Sequence, residues 1–211
     1  MGENIFNIPT YIICNNNTNN NISIKHEFSE REEFELHVIN IGIKDIASNI
    51  WIELRKIIKQ KKAEANDDVI IICTDWHRFS ENYNYNTLIN NIINGAELGA
   101  QIIFGGCENV LDIIHVKDNL FWTNKIKESA FIIIFRSAFD TIIRSRRHKN
   151  ETLTNILSRN IPNKFIIFPF ISKIITKEKQ INNNINEKQT NKTSEEKFKT
   201  YTRIMKKYNL K

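Results

Sequence analysis

Asp75 and His77 stand two positions apart in Thr74-Asp75-Trp76-His77-Arg78-Phe79, directly after the apolar run Val69–Cys73. A carboxylate and an imidazole at that spacing point the same way if the chain stays extended. Such a pair suits a divalent ion shared with substrate phosphates, because Mg²⁺ or Mn²⁺ takes oxygen ligands and keeps bound phosphate or water. The same residues also fit a plainer arrangement, with Asp75 capping the next element and His77 packed against Trp76. A second acidic pair, Asp67-Asp68, precedes the run. Five extended residues separate the two groups by roughly 15–17 Å. Asp67-Asp68 therefore reads as a solvated turn, and only Asp75 and His77 leave the strand at the end where α/β sheets bind ligands.

Other chemistries lack their signatures. No G-x-G-x-x-G follows the first apolar run, and the chain has no P-loop and no G-x-S-x-G elbow. Cys73 lies inside a strand and reads as an inert core thiol. Trp51 and Trp122 read as core or pocket wall. Cys14, Cys73 and Cys107 are an odd number without metal-ligand spacing. With no signal-peptide pattern at the start, they predict a reducing cytoplasm. The longest apolar runs, Val69–Cys73 and Phe131–Phe135, are too short to cross a bilayer. The net charge of +6 could suggest a nucleic-acid partner. However, Ile, Asn and Lys are over-used everywhere, even in Asn15–Asn21, and no RNA-recognition, zinc-finger or helix-turn-helix signature is present. No nucleic-acid partner is expected.

The elements that must position Asp75 and His77 alternate between β and α. Thr10–Cys14 reads as the first strand, Asn15–Asn21 as a loop, and Phe34–Ile39 as the second strand. Ile50, Leu54, Ile57 and Ile58 recur at helical spacing over Asn49–Lys62, with Ser48 or Asn49 as the cap. Asn66-Asp67-Asp68 is a turn, and Val69–Cys73 opens a buried parallel strand that runs on through Phe79. Its unbroken apolar character suits a strand covered on both faces. Tyr85–Leu98 reads as a helix with Leu88, Ile89, Ile92, Ile93 and Ala96 on one face, ending before Gly99. Gln101–Phe104 is a strand that lands on Gly105-Gly106. Val110–Val116 and Asn119–Asn124 pair as short strands, and Ala130–Phe135 is a buried strand. Helices follow over Ser137–Ser145 and Thr152–Arg159, and Lys164–Phe168 is the last strand. Lys173–Thr193 turns polar and Asn-rich, as a linker does. Ser194–Asn209 reads as a basic helix with Phe198, Tyr201, Ile204, Met205 and Tyr208 on one face. That face suits either an anionic membrane surface or the protein's own domain. The pattern predicts a mixed, mostly parallel α/β sheet flanked by helices, with antiparallel additions late in the chain.

In this order the motifs resemble those of bacterial GT-A-type glycosyltransferases, distant relatives of the lipopolysaccharide and collagen glycosyltransferases. The resemblance rests on Ile8-Pro9-Thr10-Tyr11, Trp51 in its helix, the exit Thr74-Asp75-Trp76-His77 with Phe79, and Gly105-Gly106. Asn119-Leu120-Phe121-Trp122, Phe131–Arg136 and Phe168-Pro169-Phe170-Ile171-Ser172 complete it. It spans about Ile8 to Ser172 and implies a single Rossmann-type GT-A-like domain over 1–172, a linker over 173–193 and a C-terminal helix over 194–211. It further implies transfer of a sugar from a nucleotide-sugar donor to a glycan or small-molecule acceptor hydroxyl, in surface-glycan or natural-product biosynthesis.

On that resemblance Asp75 and His77 are the catalytic and metal-holding pair, with Mn²⁺ or Mg²⁺ as the cofactor. Thr10, Tyr11, Thr74, Arg78, Gly105 and Gly106 contact the donor, the glycines by letting backbone approach the sugar. The chain departs from the family's acidic exit motif, because Thr74 and Trp76 stand where acids are usual. The first-strand loop also differs, reading Cys14 and then an Asn-rich run. Two outcomes follow: a metal-independent transferase using Arg78, Lys125 or Arg136 as the cation, or a non-catalytic relative that serves as a binding partner or regulator. A second acid or imidazole beside Asp75, from Glu108, Asp112 or His115, would restore the metal site. The protein is expected in the cytoplasm, with peripheral membrane contact through 194–211 as an option.

Overall fold

Unbroken runs of β-branched residues become strands buried on both faces, and this builds the centre of the molecule. The computed structural model describes residues 7–15, 18–175 and 190–207. Ile8–Asn15 forms β1 and Val69–Thr74 forms β3, with Thr10 beside Ile71 and Ile13 beside Thr74 in a parallel pair. Alternate side chains of β3 enter different cores. Ile70 and Ile72 pack on one face with Trp51, Leu54 and Ile58, while Ile71 and Cys73 pack on the other with Ile24, Phe28 and Leu88. Full burial of one such side chain contributes about 1.5–3 kcal/mol.

The sheet has eight strands. β2 (Phe34–Ile41), β1 and β3 are parallel neighbours, followed by β10 (Phe131–Phe135), β5 (Ile102–Phe104), β11 (Lys164–Ile167), β8 (Leu120–Thr123) and β7 (Ile113–Lys117). The pairings run β2, β1, β3, β5, β11 and β7 one way and β10 and β8 the other. The sheet is thus mixed with one prevailing direction, as expected, but the reversed β10 sits in the middle rather than at an edge. Two small pairs stand apart: β4 (His77–Phe79) with β12 (Ser172–Ile174), and β6 (Asn109–Val110) with β9 (Ile126–Lys127).

Helix α1 (Thr18–Phe28) and α3 (Tyr85–Glu97) contribute to the core on one face. On the other lie α2 (Ile46–Glu64), α4 (Phe139–Arg144, entered through a 3₁₀ turn at Arg136–Ala138), α5 (Leu153–Asn160) and α6 (Thr190–Lys207). Among the described residues no helix is long and apolar enough to cross a membrane.

Several sequence expectations change. The stretch expected as a loop over Asn15–Asn21 enters a helix at Thr18. The α2 cap is Asp45, whose Oδ1 accepts from the Ser48 amide at 3.2 Å; neither Ser48 nor Asn49 fills that role. The expected strand Val69–Phe79 breaks at Asp75-Trp76, which form a turn. Ile93 is 48% exposed and lies outside the buried α3 face. The strand expected over Val110–Val116 splits into β6 and β7. Lys164–Ile167 is not the last strand, because β12 follows and crosses the boundary expected at 172. Residues 176–189 of the expected linker lie outside the described ones, and the helix begins at Thr190 rather than Ser194. Phe198 is fully buried, stacked 4.6 Å from Phe168 and edge-on to Phe121 and Phe170. Of the two surfaces open to the C-terminal helix, its own domain takes this face at Phe198 and Tyr201. Ile204, Met205 and Tyr208 lie outside the side chains described.

Candidate functional site

Chain order and strand order together fix where a ligand can enter. From β1 the chain moves outward to β2, then returns across β1 to β3, with α1 on one face and α2 on the other. Two crossovers that leave a strand in opposite directions open a crevice at the C-terminal ends of the strands between them. Here that crevice lies beyond Cys14 and Thr74. Asp75 sits there, 4% exposed in the turn after β3. Burial pushes the Cys14 thiol up to about 12, and the negative charge of Asp75 adds to the rise, so the two ends of β1 and β3 share one environment.

Its chain neighbours Thr74 and the half-buried Trp76, but not Asp75 itself, line a pocket of about 200 Å³ with Ile50, Glu128, Ser129 and the first turn of α5. Because β10 is antiparallel to β3, Phe131 pairs with Cys73 and the Ala130 carbonyl accepts from the Thr74 amide at 3.1 Å. The residues just before β10 must therefore border the end of β3. Glu128 holds a left-handed backbone, φ 53°, which costs a non-glycine residue about 1–2 kcal/mol. The sequence reading missed it, since an apolar run carries no sign of its direction. Thr152 caps α5 by accepting from the Asn155 amide at 3.3 Å, so the amino end of that helix opens into the same pocket.

His77 does not join Asp75. Trp76 lies between them in a turn, and the imidazole points into the core: fully buried, 4.5 Å from the ring of Phe79, 5.0 Å from Phe131 and 5.5 Å from Phe28. Its Nδ1 is hydrogen-bonded to the Ser172 hydroxyl at 2.8 Å, and Nε2 has no hydrogen-bond partner among the described residues. Burial holds its pKa well below 6.5, helped by the positive charges of Arg78 and Arg31. The neutral tautomer with Nδ1–H donating to Ser172 leaves only a lone pair facing the phenyl rings, so we assign that one. His77 is neither a metal ligand nor a solvent-facing base.

The other expected contacts also resolve. Thr74 lines the pocket. Thr10 is buried in mid-strand, where its hydroxyl donates to the Ile8 carbonyl at 2.9 Å. Tyr11 stacks on His37 at 4.8 Å and pairs with Ile72, away from the strand end. Arg78 is occupied by the chain itself: it donates to the carbonyls of Asp75 and His77 and to the Ser23 hydroxyl, with Glu27 4.0 Å away. The glycine pair lets backbone approach closely, but the backbone is the protein's own. The Gly105 carbonyl accepts from Ile171 and Ser172 at 2.9 and 3.1 Å, and a Cβ on Gly106 would overlap the Ser172 carbonyl oxygen. Arg136 bonds the Asp67 carbonyl at the opposite end of β3, and Lys125 lines two other cavities.

Glu108, Asp112 and His115 do not complete a metal site. Asp112 accepts from Asn124 at 3.3 Å, and His115 Nε2 bonds the Asp118 carbonyl. Among the described residues no three His, Cys, Asp or Glu side chains gather as a metal would need. With His77 withdrawn, the donor set does not fit a protein-held Mn²⁺ or Mg²⁺ ion.

This arrangement defines an α/β domain with an eight-stranded mixed sheet and a crevice at its strand reversal. No family model matches the chain, and no curated protein matches it. Among solved structures the fold is similar to A197 from STIV, at 9% identity over 81% of this chain and 87% of that one, TM-score 0.51. Looser likenesses are to apo UDP-glucose pyrophosphorylase, at 11% identity over 79% and 74%, TM-score 0.45. HddC from Yersinia pseudotuberculosis aligns at 13% over 75% and 69%, TM-score 0.40.

Proposed function

We propose that this protein is a metal-independent glycosyltransferase that binds a nucleotide-sugar donor where β1 and β3 end. The carrying observation is the pocket past the end of β3, where Thr74, Trp76, Ser129 and Thr152 group an indole and hydroxyls at the strand reversal, next to the turn that holds Asp75. Asp75, in the turn between two of the lining residues, is the candidate acceptor for the hydroxyls of a ribose or donor sugar. The Trp76 indole offers a face for stacking a base or sugar ring. As the donor's bond to its nucleoside diphosphate breaks, charge grows on the diphosphate. The amino end of α5 offers the first-turn N–H groups that Thr152 does not cap and the positive end of a helix dipole for that charge. Glu128 is the candidate base for the acceptor hydroxyl.

A second reading is a non-catalytic relative that binds without transferring. It is favoured by the sealed position of His77, which removes the imidazole the motif promised. Calorimetry with UDP- and GDP-sugars, with and without Mn²⁺, tests both, paired with an assay for sugar transfer. Binding independent of Mn²⁺ with turnover supports the transferase, and binding without turnover supports the second reading. If no nucleotide binds and Asp75→Ala alters nothing, both are lost.

A further inference from the structure

A cavity larger than the one beside Thr74 lies away from the end of β3. It measures about 620 Å³ and lies along α5, lined by Asn124, Lys125, Ser158, Arg159 and Lys164 among others. A second opening of about 280 Å³ shares Lys125 and Asn155 with it and adds Lys127. The second opening borders the candidate donor pocket in sequence on both walls: Lys127 precedes Glu128, and Asn155 follows Thr154. The three therefore follow one seam between α5 and the segment 124–130, which an eight-residue helix extends over about 12 Å.

The chemistry of the seam changes along its length. At the amino end of α5 it offers hydroxyls and Trp76. The other two openings add three lysines and an arginine; Glu151, the residue before the Thr152 cap, is the acid on their walls, and it is already held by Arg159 through two contacts of 2.9 Å. Lys164 is 4% exposed, and its ammonium donates to the Ile161 carbonyl at 2.8 Å, a charge kept inside the wall of the groove. Neither Lys125 nor Lys127 has a side-chain hydrogen bond or ion pair among the described residues. Exposed ammonium groups left unpaired along a groove, with carboxamides between them, match a ligand that carries repeated negative charge and hydroxyls.

We propose that this seam is the acceptor site and that the acceptor is an anionic oligosaccharide bearing phosphate or carboxylate groups; this rests on the transferase reading above. Its reacting hydroxyl lies toward Glu128, and its charged units extend toward Lys164.

The test is binding of the full chain to four probes of equal length: a phosphorylated oligosaccharide, an oligogalacturonate, a neutral oligosaccharide and a single-stranded RNA. UDP binding is measured on the same samples. The expected result is that at least one anionic oligosaccharide binds at least tenfold more tightly than the neutral one and than RNA. The preferred anion then identifies the charged group. Lys125→Glu/Lys127→Glu should lose at least tenfold of that affinity and leave UDP binding unchanged. Equal binding of the neutral probe, equal or tighter binding of RNA, or an unaffected double variant overturns the proposal. If UDP binds but no oligosaccharide does, the acceptor assignment alone fails. If UDP does not bind, the donor site fails and takes this assignment with it.

Discussion

The His77 imidazole meets the Ser172 hydroxyl at 2.8 Å and turns its other nitrogen into a wall made by Phe28, Phe79 and Phe131. The bond ties β4 to β12 beneath the candidate donor site, and the ring is accommodated there only while it is neutral, because a proton on Nε2 would put a charge and an unpartnered donor against the phenyl rings. Since the folded pKa lies well below 6.5, the unfolded chain binds this proton first as pH falls. Stability from this residue is complete above about pH 6.5 and is lost progressively below it, by up to about 1.4 kcal/mol per pH unit until the folded pKa is reached. Urea unfolding of the wild type across that range should show this slope. His77→Leu, which cannot titrate, should remove its share; equal slopes in the two proteins would refute the assignment.

Gly106 faces Ser172 so closely that any Cβ meets backbone, whereas a Cβ on Gly105 meets the ring of Phe131 at 2.8 Å. A ring edge can shift, but a carbonyl held in a paired strand cannot do so without moving β12. Gly106→Ala should therefore cost about 1–3 kcal/mol, and Gly105→Ala less. Comparing their unfolding midpoints in urea checks the order. The reverse order would mean that Phe131 is the more rigid neighbour.

The strands were largely legible because burial on both faces leaves an uninterrupted apolar signature, as in Val69–Cys73 and Phe131–Phe135. Helix α1 was not, since its Asn-rich start is poor in helix formers and its apolar positions are few. The direction of β10 was equally hidden, and with it the nearness of Glu128 and Ser129 to Thr74. Asp75 could be located from the end of its strand, but the fate of His77 depended on a turn at Asp75-Trp76 that no local signal marks. The glycine pair was noticed for a sound reason, close backbone approach, and then given to the wrong partner. What approaches is Ser172, 66 positions away in the chain.

Phe198 anchors α6 by filling a space between Phe121, Phe168 and Phe170. Its truncation to Ala leaves a cavity that these rings close only in part, at a cost of about 3–5 kcal/mol. The thermal midpoint of Phe198→Ala should fall accordingly. Binding of the wild type to anionic vesicles should be weak and lost with salt, because Phe198 and Tyr201 are committed to the domain and only charge remains to attract lipid. Salt-resistant vesicle binding would show that the helix leaves its seat.

Glu128 should separate stability from binding. Its left-handed backbone, φ 53°, costs a residue with a Cβ about 1 kcal/mol more than glycine, so Glu128→Gly should change the unfolding free energy by no more than about that amount, the relief of strain offsetting the interaction it removes. The same change removes a carboxylate from the pocket that Thr74 and Trp76 line, so sugar transfer should fall by at least tenfold. Glu128→Gln keeps the backbone strain and removes only the charge; it should lose the same activity without that relief. Measured together, urea unfolding and turnover distinguish a strained functional residue from an ordinary turn. A Gly variant that is less stable by more than that amount and equally active would put Glu128 in the fold and outside the chemistry.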